Sequence, residues 1–413
     1  MPSDIGLPAV RRAARLDPEA HALLRAINIM LPRLDPQRPR LRQMRQRWQL
    51  LARLLGRKVP VARVDNLSIQ GPAGPLKLRI FRPHRPRHAG DGDAAAPALL
   101  WFHGGGFVLG SVATADSICR NIAARSGAIV VTAQYRLAPE HALLAGREDS
   151  LAVLDWMVAN SEALGIDATR IAVGGDSAGG NLAAVLAQRA VRRGYPAPVL
   201  QVLVYPATNL RDEPPSRAEN AKGYLLTAES IAWFDALGAT RSPVDTNDPL
   251  LSPALARSLK GLPPTLIVSA GYDPIRDDGL AYAGHLRATG VSVQLLHYGG
   301  QFHGFLNFDT VLRAARDALD RMGDALADAF AGCSAPDRTY EIDAGGGWQA
   351  MAGQTARDLL VGGLMWGEWL EQSRNGLLGA GGAENPLFNP MTRLRAQSAS
   401  MFARLEVRET YPT

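Results

Sequence analysis

The sequence predicts an α/β fold: a mostly parallel central sheet flanked by helices, with a helical cap above it. Three observations carry this. Six short apolar runs recur between residues 98 and 297, and helical stretches separate most of them. The runs read as strands buried on both faces, and such strands alternating with helices build parallel sheets. One connection, between 204 and 265, is about sixty residues long, which is too long for a plain strand–helix unit and marks a candidate cap segment.

The elements follow in order. Leu41, Met44, Trp48, Leu51 and Leu55 fall at helical spacing, with Arg42, Arg53 and Arg57 on the opposite face. Residues 62–83 read as strands around the turn Gly71-Pro72-Ala73-Gly74-Pro75. Residues 84–97 read as an exposed loop. The apolar runs are then 98–102, 128–133, 170–173, 200–204, 265–270 and 291–297, with helices expected at 114–126, 148–160, 179–193 and 277–289. A last helix of this rhythm covers about 310–330.

Three regions result: N-terminal cap helices (1–57), a sheet domain (58–333) with a cap insertion at about 206–262, and a C-terminal helical annex (334–413) of no evident role. The annex holds two glycine-rich clusters, Gly345-Gly346-Gly347 and Gly379-Ala380-Gly381-Gly382. Trp348, Met351, Leu359, Met365, Trp366, Trp369 and Leu370 suggest a helix between them. A second helix is expected after Asn389 as N-cap and Pro390 at the first helical position, with Met391, Leu394, Met401, Phe402 and Leu405 as its stripe.

Composition excludes several classes. The 413 residues are 46% hydrophobic and 20% charged, as in ordinary globular proteins. Net charge is +6, unevenly placed: residues 1–57 hold 12 Arg and 4 acidic residues, which is +8, leaving −2 for the rest. The clearest helix there carries several of these arginines off its apolar stripe, without aromatic interleaving or a nucleic-acid motif, so a solvated helix face is expected and no nucleic-acid partner. Cys119 and Cys333 have no metal or redox spacing, and reduced thiols are expected. No leader pattern and no membrane-spanning apolar run is present, so a cytoplasmic protein is expected.

The sharpest chemical signal is Gly175-Asp176-Ser177-Ala178-Gly179, which fits G-x-S-x-G between a strand and a helix. Small residues at 175 and 179 let the chain turn sharply, leaving Ser177 at the tip. Upstream, His103-Gly104-Gly105-Gly106-Phe107 ends the first parallel strand. A tetrahedral oxyanion needs preorganised backbone N–H donors, and Gly104, Gly105 and Gly106 can supply them together with Ala178.

A serine needs a base. After Ser177 only His285, His297 and His303 remain. His285 falls in a helix and His297 in a strand. His303 follows that strand on a loop and is assigned as the base. The acid belongs just past the preceding strand, where Asp273 stands in Gly271-Tyr272-Asp273-Pro274. Asp277 and Asp278 fall where the next helix begins and suit its N-terminus. Asp176 adjoins the nucleophile and is expected to point away. Tyr224 and Leu225, with Phe107, are candidate substrate-binding residues. Tyr224, Leu225, Leu226, Trp233 and Phe234 together offer an apolar acyl pocket, and equally the same five residues could simply glue cap to sheet.

With Tyr135-Arg136-Leu137-Ala138-Pro139-Glu140-His141, Asp273-Pro274-Ile275-Arg276-Asp277 and His303-Gly304-Phe305, these motifs make the sequence resemble the hormone-sensitive lipase family of α/β-hydrolases, the bacterial family IV esterases, over about residues 40–330. The resemblance implies the α/β-hydrolase fold and a Ser177–Asp273–His303 triad. It also implies a serine carboxylesterase acting on short- to medium-chain acyl esters, with no cofactor and no metal, and often a homodimer. The Tyr135–His141 block is given structural roles only. Two departures, the Ala142-Leu143-Leu144 stretch after His141 and Gln301-Phe302 before His303, bear on pocket shape. A lipase, lactonase, amidase or thioesterase would use the same triad. A non-catalytic receptor, like the plant gibberellin receptors that lost the histidine, is disfavoured because His303 is present.

Overall fold

Eleven residues of strand run straight into the elbow serine, and the rest of the fold is arranged around that line. The computed structural model describes residues 6–30, 41–84, 95–194, 197–343 and 406–410. Helices α1 (Pro18–Met30) and α2 (Leu41–Leu55) come first, then the hairpin β1 (Arg63–Gly71) and β2 (Gly74–Arg82). The alternation follows: β3 (Ala96–Phe102), α3 (Asp116–Ser126), β4 (Ile129–Ala133), α4 (Leu143–Ala159), α5 (Ser161–Leu164), β5 (Ile166–Asp176), α6 (Ala178–Arg192) and β6 (Gln201–Val204). Then come α7 (Pro215–Glu219), α8 (Ala228–Gly238), β7 (Thr265–Tyr272), α9 (Arg276–Ala288), β8 (Val293–Phe302), α10 (Arg313–Phe330), β9 (Arg338–Asp343) and β10 (Glu406–Thr410).

The strand order is β1-β2-β4-β3-β5-β6-β7-β8-β9-β10. Pairing is parallel from β4 through β9 and antiparallel at both margins. The sheet is therefore mostly parallel and helix-flanked, as predicted. Strands β3, β4, β6 and β7 are buried at every position, and their side chains alternate between two cores. Leu99 and Trp101 face the side covered by α1, α2, α3 and α10, where Leu23, Leu51, Ile122 and Met322 pack. Leu100 and Phe102 face α4, α6 and α9, with Leu154, Leu186 and Leu286. Each fully buried leucine of this kind contributes about 2 kcal/mol.

The long connection after β6 holds α7 and α8. Thr227 caps α8 by accepting the Ser230 N–H in a capping box, and Trp233 of α8 is buried against Val108 and Leu109 beside the glycine loop. Helix α2 buries Leu51 and Leu55, and Trp48 meets Phe308 edge-on at 6.5 Å. Its arginines and their neighbours make intramolecular bonds: Arg45 pairs with Glu140 at 2.7 Å and Arg57 with Asp309 at 2.8 Å. That is how part of the N-terminal positive charge is used.

The annex departs from expectation. Both of its described stretches are strands, β9 in parallel register on β8 and β10 antiparallel on β9. The physical reason is the open edge of β8, whose backbone groups β9 satisfies. The helices expected between and after the glycine clusters lie outside the described residues. Among the described residues, no helix is long and apolar enough to cross a membrane.

Candidate active site

The G-x-S-x-G motif closes into a strained turn. Ser177 has φ 56°, ψ −117°, a region that L-residues occupy only when their surroundings force it. The surroundings do so on both sides: the Ser177 N–H bonds the Val204 carbonyl at 2.8 Å, and the Ser177 carbonyl accepts from Asn181 at 3.1 Å. Gly175 and Gly179 face each other across the turn. A Cβ on Gly175 would sit 2.3 Å from the Gly179 backbone, and one on Gly179 would sit 2.0 Å from the Phe102 carbonyl oxygen. Only hydrogen fits at either position.

His303 follows directly on β8, and Asp273 directly on β7. His303 Nε2 lies 2.9 Å from Ser177 Oγ, and His303 Nδ1 lies 2.7 Å from Asp273 Oδ2. Asp273 is fully buried, and its Oδ1 accepts the Ile275 N–H at 2.8 Å. With Nδ1 protonated toward the carboxylate, Nε2 is left as the acceptor facing the serine hydroxyl. Tyr205 packs its ring 4.7 Å from the imidazole. The other candidates stand elsewhere. His285 is in α9, and His297 is buried on Ser269 at 2.7 Å. Asp277 pairs with Arg276 and accepts the Ser216 N–H.

The predicted oxyanion donors divide. The Gly104 N–H is taken by Asp176 Oδ1 at 3.0 Å, so Gly104 leaves the donor set. Gly105 and Gly106, at φ 122° and 59°, hold conformations suited to glycine. They line the cavity in front of Ser177 with Ala178. A Cβ at Gly106 would meet the Phe234 ring at 2.5 Å. The function of Asp176 was not legible in the motif. Its carboxylate accepts the Gly104 N–H and so holds the glycine loop, while Asp176 also lines the cavity in front of Ser177. The pairing of the two motifs across neighbouring strands β3 and β5 is the signal that could have revealed it.

Asp176 has an electrostatic consequence. Burial pushes its carboxyl from 3.8 up to about 6, although the Gly104 N–H and nearby His303 pull it down. The folded value lies above the unfolded one. The folded state therefore holds an extra proton between about pH 4 and 6, and stability falls as pH rises through that window. Asp176→Asn keeps an acceptor for Gly104 and removes the titration. We expect its urea midpoint to gain on that of the unsubstituted protein between pH 4.5 and 7. Parallel midpoints across that range would refute this account.

A cavity of about 980 Å³ opens over the serine. Phe107, Tyr224 and Leu225 all line it, with Leu226, Ile231 and Phe234 from the long insertion and Met44 and Trp48 from α2. Arg147, fully buried, stands 4.3 Å over the Phe107 ring and donates to the Leu143 and Leu250 carbonyls. Among the described residues, no cluster of three or more His, Cys, Asp or Glu could hold a metal ion. The arrangement is a hydroxyl, an imidazole and a buried carboxyl group in hydrogen-bonded line, under a largely apolar vault whose wall includes Gly105, Gly106 and Ala178. Such a set can carry acyl transfer from an uncharged substrate.

Known proteins share this fold. The family described as alpha/beta hydrolase fold matches residues 99–307. Esterase LipI of Mycobacterium tuberculosis is 43% identical over 262 residues, 63% of this chain and 81% of that protein. The ethyl acetate hydrolase of Pseudomonas putida is 41% identical over 252 residues, 61% of this chain and 78% of that protein. Among solved structures, the hyperthermophilic esterase of the archaeon Pyrobaculum calidifontis superposes with a TM-score of 0.70 at 39% identity, over 76% of this chain and 98% of its own. An ester hydrolase from the Lake Arreo metagenome, solved with a bipyridine phosphonate derivative, gives 0.72 at 36% identity, over 76% and 99%.

Proposed function

The chain belongs to the hormone-sensitive-lipase-like esterase group of the α/β-hydrolase family and is an ester hydrolase, and on that premise we propose that Ser177, His303 and Asp273 are its catalytic triad. Ser177 Oγ attacks the ester carbonyl while His303 Nε2 takes the hydroxyl proton. Asp273 orients the imidazole and stabilises the imidazolium. The carbonyl oxygen becomes an oxyanion facing the N–H groups of Gly105, Gly106 and Ala178. Collapse expels the alcohol, which leaves with the proton from His303. Water, deprotonated by His303, then releases the acid and restores Ser177. The observation that carries this reading is the relay of 2.9 and 2.7 Å from serine to carboxylate.

In the same reading α1, α2 and residues 206–262 act as a cap, and Phe107, Tyr224 and Leu225 bind the substrate. The apolar lining supports short- to medium-chain acyl esters. With p-nitrophenyl acetate, butyrate and palmitate, butyrate is expected to give the highest kcat/KM, about ten-fold over acetate, since each of its two further methylenes contributes about 0.8 kcal/mol when buried in the apolar cavity. A palmitate preference would make the enzyme a lipase. Turnover that persists in Ser177→Ala would remove the triad assignment. The two free cysteines, Cys119 buried and Cys333 exposed, are in keeping with a cytoplasmic enzyme. The homodimer implied by the family is tested by light scattering, where a monomer mass would remove it.

A further inference from the structure

The N-terminal stretch crosses the end of the sheet where the acid and the base emerge. On the base side, the Ala13 N–H donates to the Gly299 carbonyl at 3.0 Å and the Asp17 N–H to the Gly300 carbonyl at 2.9 Å. Gln301 Nε2 donates to Asp17 Oδ2 at 2.5 Å. Gln301, itself buried, lies two residues before His303. Asp17 docks so closely that a Cβ on Gly300 would fall 2.0 Å from its Oδ1. Burial pushes the Asp17 carboxyl up to about 6; the Gln301 bond opposes this, while Glu19 and Asp343 add to it and Arg313 subtracts.

On the acid side, the Tyr272 hydroxyl donates to the Ala13 carbonyl at 2.7 Å, and the Arg12 guanidinium stands 4.5 Å over the Tyr272 ring. Arg12 Nη1 donates to the Glu219 carbonyl at 3.1 Å and to Asn220 Oδ1 at 3.3 Å. The buried Asn220 amide in turn donates to the Gly271 and Asp273 carbonyls at 3.3 and 3.1 Å. Two short chains of contacts thus run from one peptide stretch, one to Gln301, two residues before the base, and one to the backbone carbonyl of the acid. The stretch is fastened at its other end. Glu341 of β9 accepts the Ala9 N–H at 2.9 Å and the Val10 N–H at 3.3 Å.

We propose that residues 9–17 form a clamp, fastened by Glu341, that fixes the spacing of Asp273 and His303, with Arg12 and Asp17 as its positioning residues. The proposal rests on the triad reading above. It gives β9, which lies outside the matched 99–307 region, a part in catalysis. A nucleophile–base–acid line tolerates little displacement, because an error near 1 Å can cost about 10²-fold in rate. Tyr272 and Phe302, directly before the acid and the base, are already ladder partners, and the clamp adds a second tie outside the substrate cavity, across the Gly299–Gln301 segment where the register of the two strands shifts.

The test uses the full chain, p-nitrophenyl butyrate, and a fluorophosphonate that titrates competent Ser177. Arg12→Ala and Asp17→Ala are expected to lose about ten-fold in kcat per labelled site, with KM within about two-fold. Asp17→Asn, which keeps an acceptor for Gln301, recovers most of the loss, and Glu341→Ala reproduces it. Arg12 is exposed, so its variant carries the test even where Asp17→Ala does not fold. Unchanged kcat per labelled site in Arg12→Ala overturns the clamp, as does a loss that only tracks the labelled fraction. Activity surviving in Ser177→Ala would instead overturn the triad reading beneath it.

Discussion

Ser177→Ala and His303→Ala are each expected to lower kcat on p-nitrophenyl butyrate by roughly 10⁵-fold, and the double variant by no more than either alone. The reason is the shape of the relay. Ser177 Oγ is a nucleophile only while His303 Nε2, 2.9 Å away, can take its proton. An imidazole with no serine to serve has no further role in acylation. Residues that act as a unit fail as a unit, so their losses do not add. What survives in all three variants is the contribution of substrate positioning and of the oxyanion donors, typically about 10³-fold over water. Single-turnover measurements with equal concentrations of folded protein would read this. If the double variant lost the sum of the two logarithms, the two side chains would be acting independently, and the relay would be wrong.

Much of this site was legible because it lies at strand ends. A run apolar on both faces must be a central strand, and a polar residue directly after such a run is delivered to the carboxyl edge of the sheet. Asp273 after β7 and His303 after β8 were found that way, and the structure brings both to Ser177. Leu41–Leu55 was legible for another reason: its 3.6-residue spacing persists for 15 residues. Asp176 was not. Nothing in the local pattern says that the Gly104 N–H will be bonded across 72 positions. That bond exists only because β3 and β5 are neighbours in the sheet, which is a fact of topology.

The N-terminal stretch was illegible for a related reason. Residues 9–17 have no regular element and no strong periodicity, and their meaning lies in backbone bonds to Gly299, Gly300 and Glu341. Backbone groups are identical in every sequence, so pattern reading cannot see such pairings. Strand β9 failed for lack of contrast. Its six residues, Arg-Thr-Tyr-Glu-Ile-Asp, bury only Thr339 and Ile342. Its other four residues are half-buried or exposed, so no apolar alternation marks the strand.

Gly179→Ala brings the fold and the site into one test. The methyl group would arrive 2.0 Å from the Phe102 oxygen, 2.6 Å from the Phe102 carbonyl carbon and 2.7 Å from the His103 oxygen. All three atoms are backbone, so no side chain can swing aside. Either α6 moves off β3, or the end of β3 moves off α6. The first displaces Ala178 and Ser177; the second displaces the glycine loop that starts at Gly104. Each separates Ser177 from the Gly105 and Gly106 donors, since the elbow and the glycine loop lie on opposite sides of this contact. Overpacking of this kind costs about 3 kcal/mol, and a shift near 1 Å costs about 10²-fold in kcat. The two losses should appear together, as a lowered urea midpoint and a slowed acylation rate in the fraction that remains folded. A variant that lost stability but acylated at the normal rate would mean that the elbow and the loop move as one body. Retention of both would mean that the close packing of α6 on β3 is not what holds Ser177 in place.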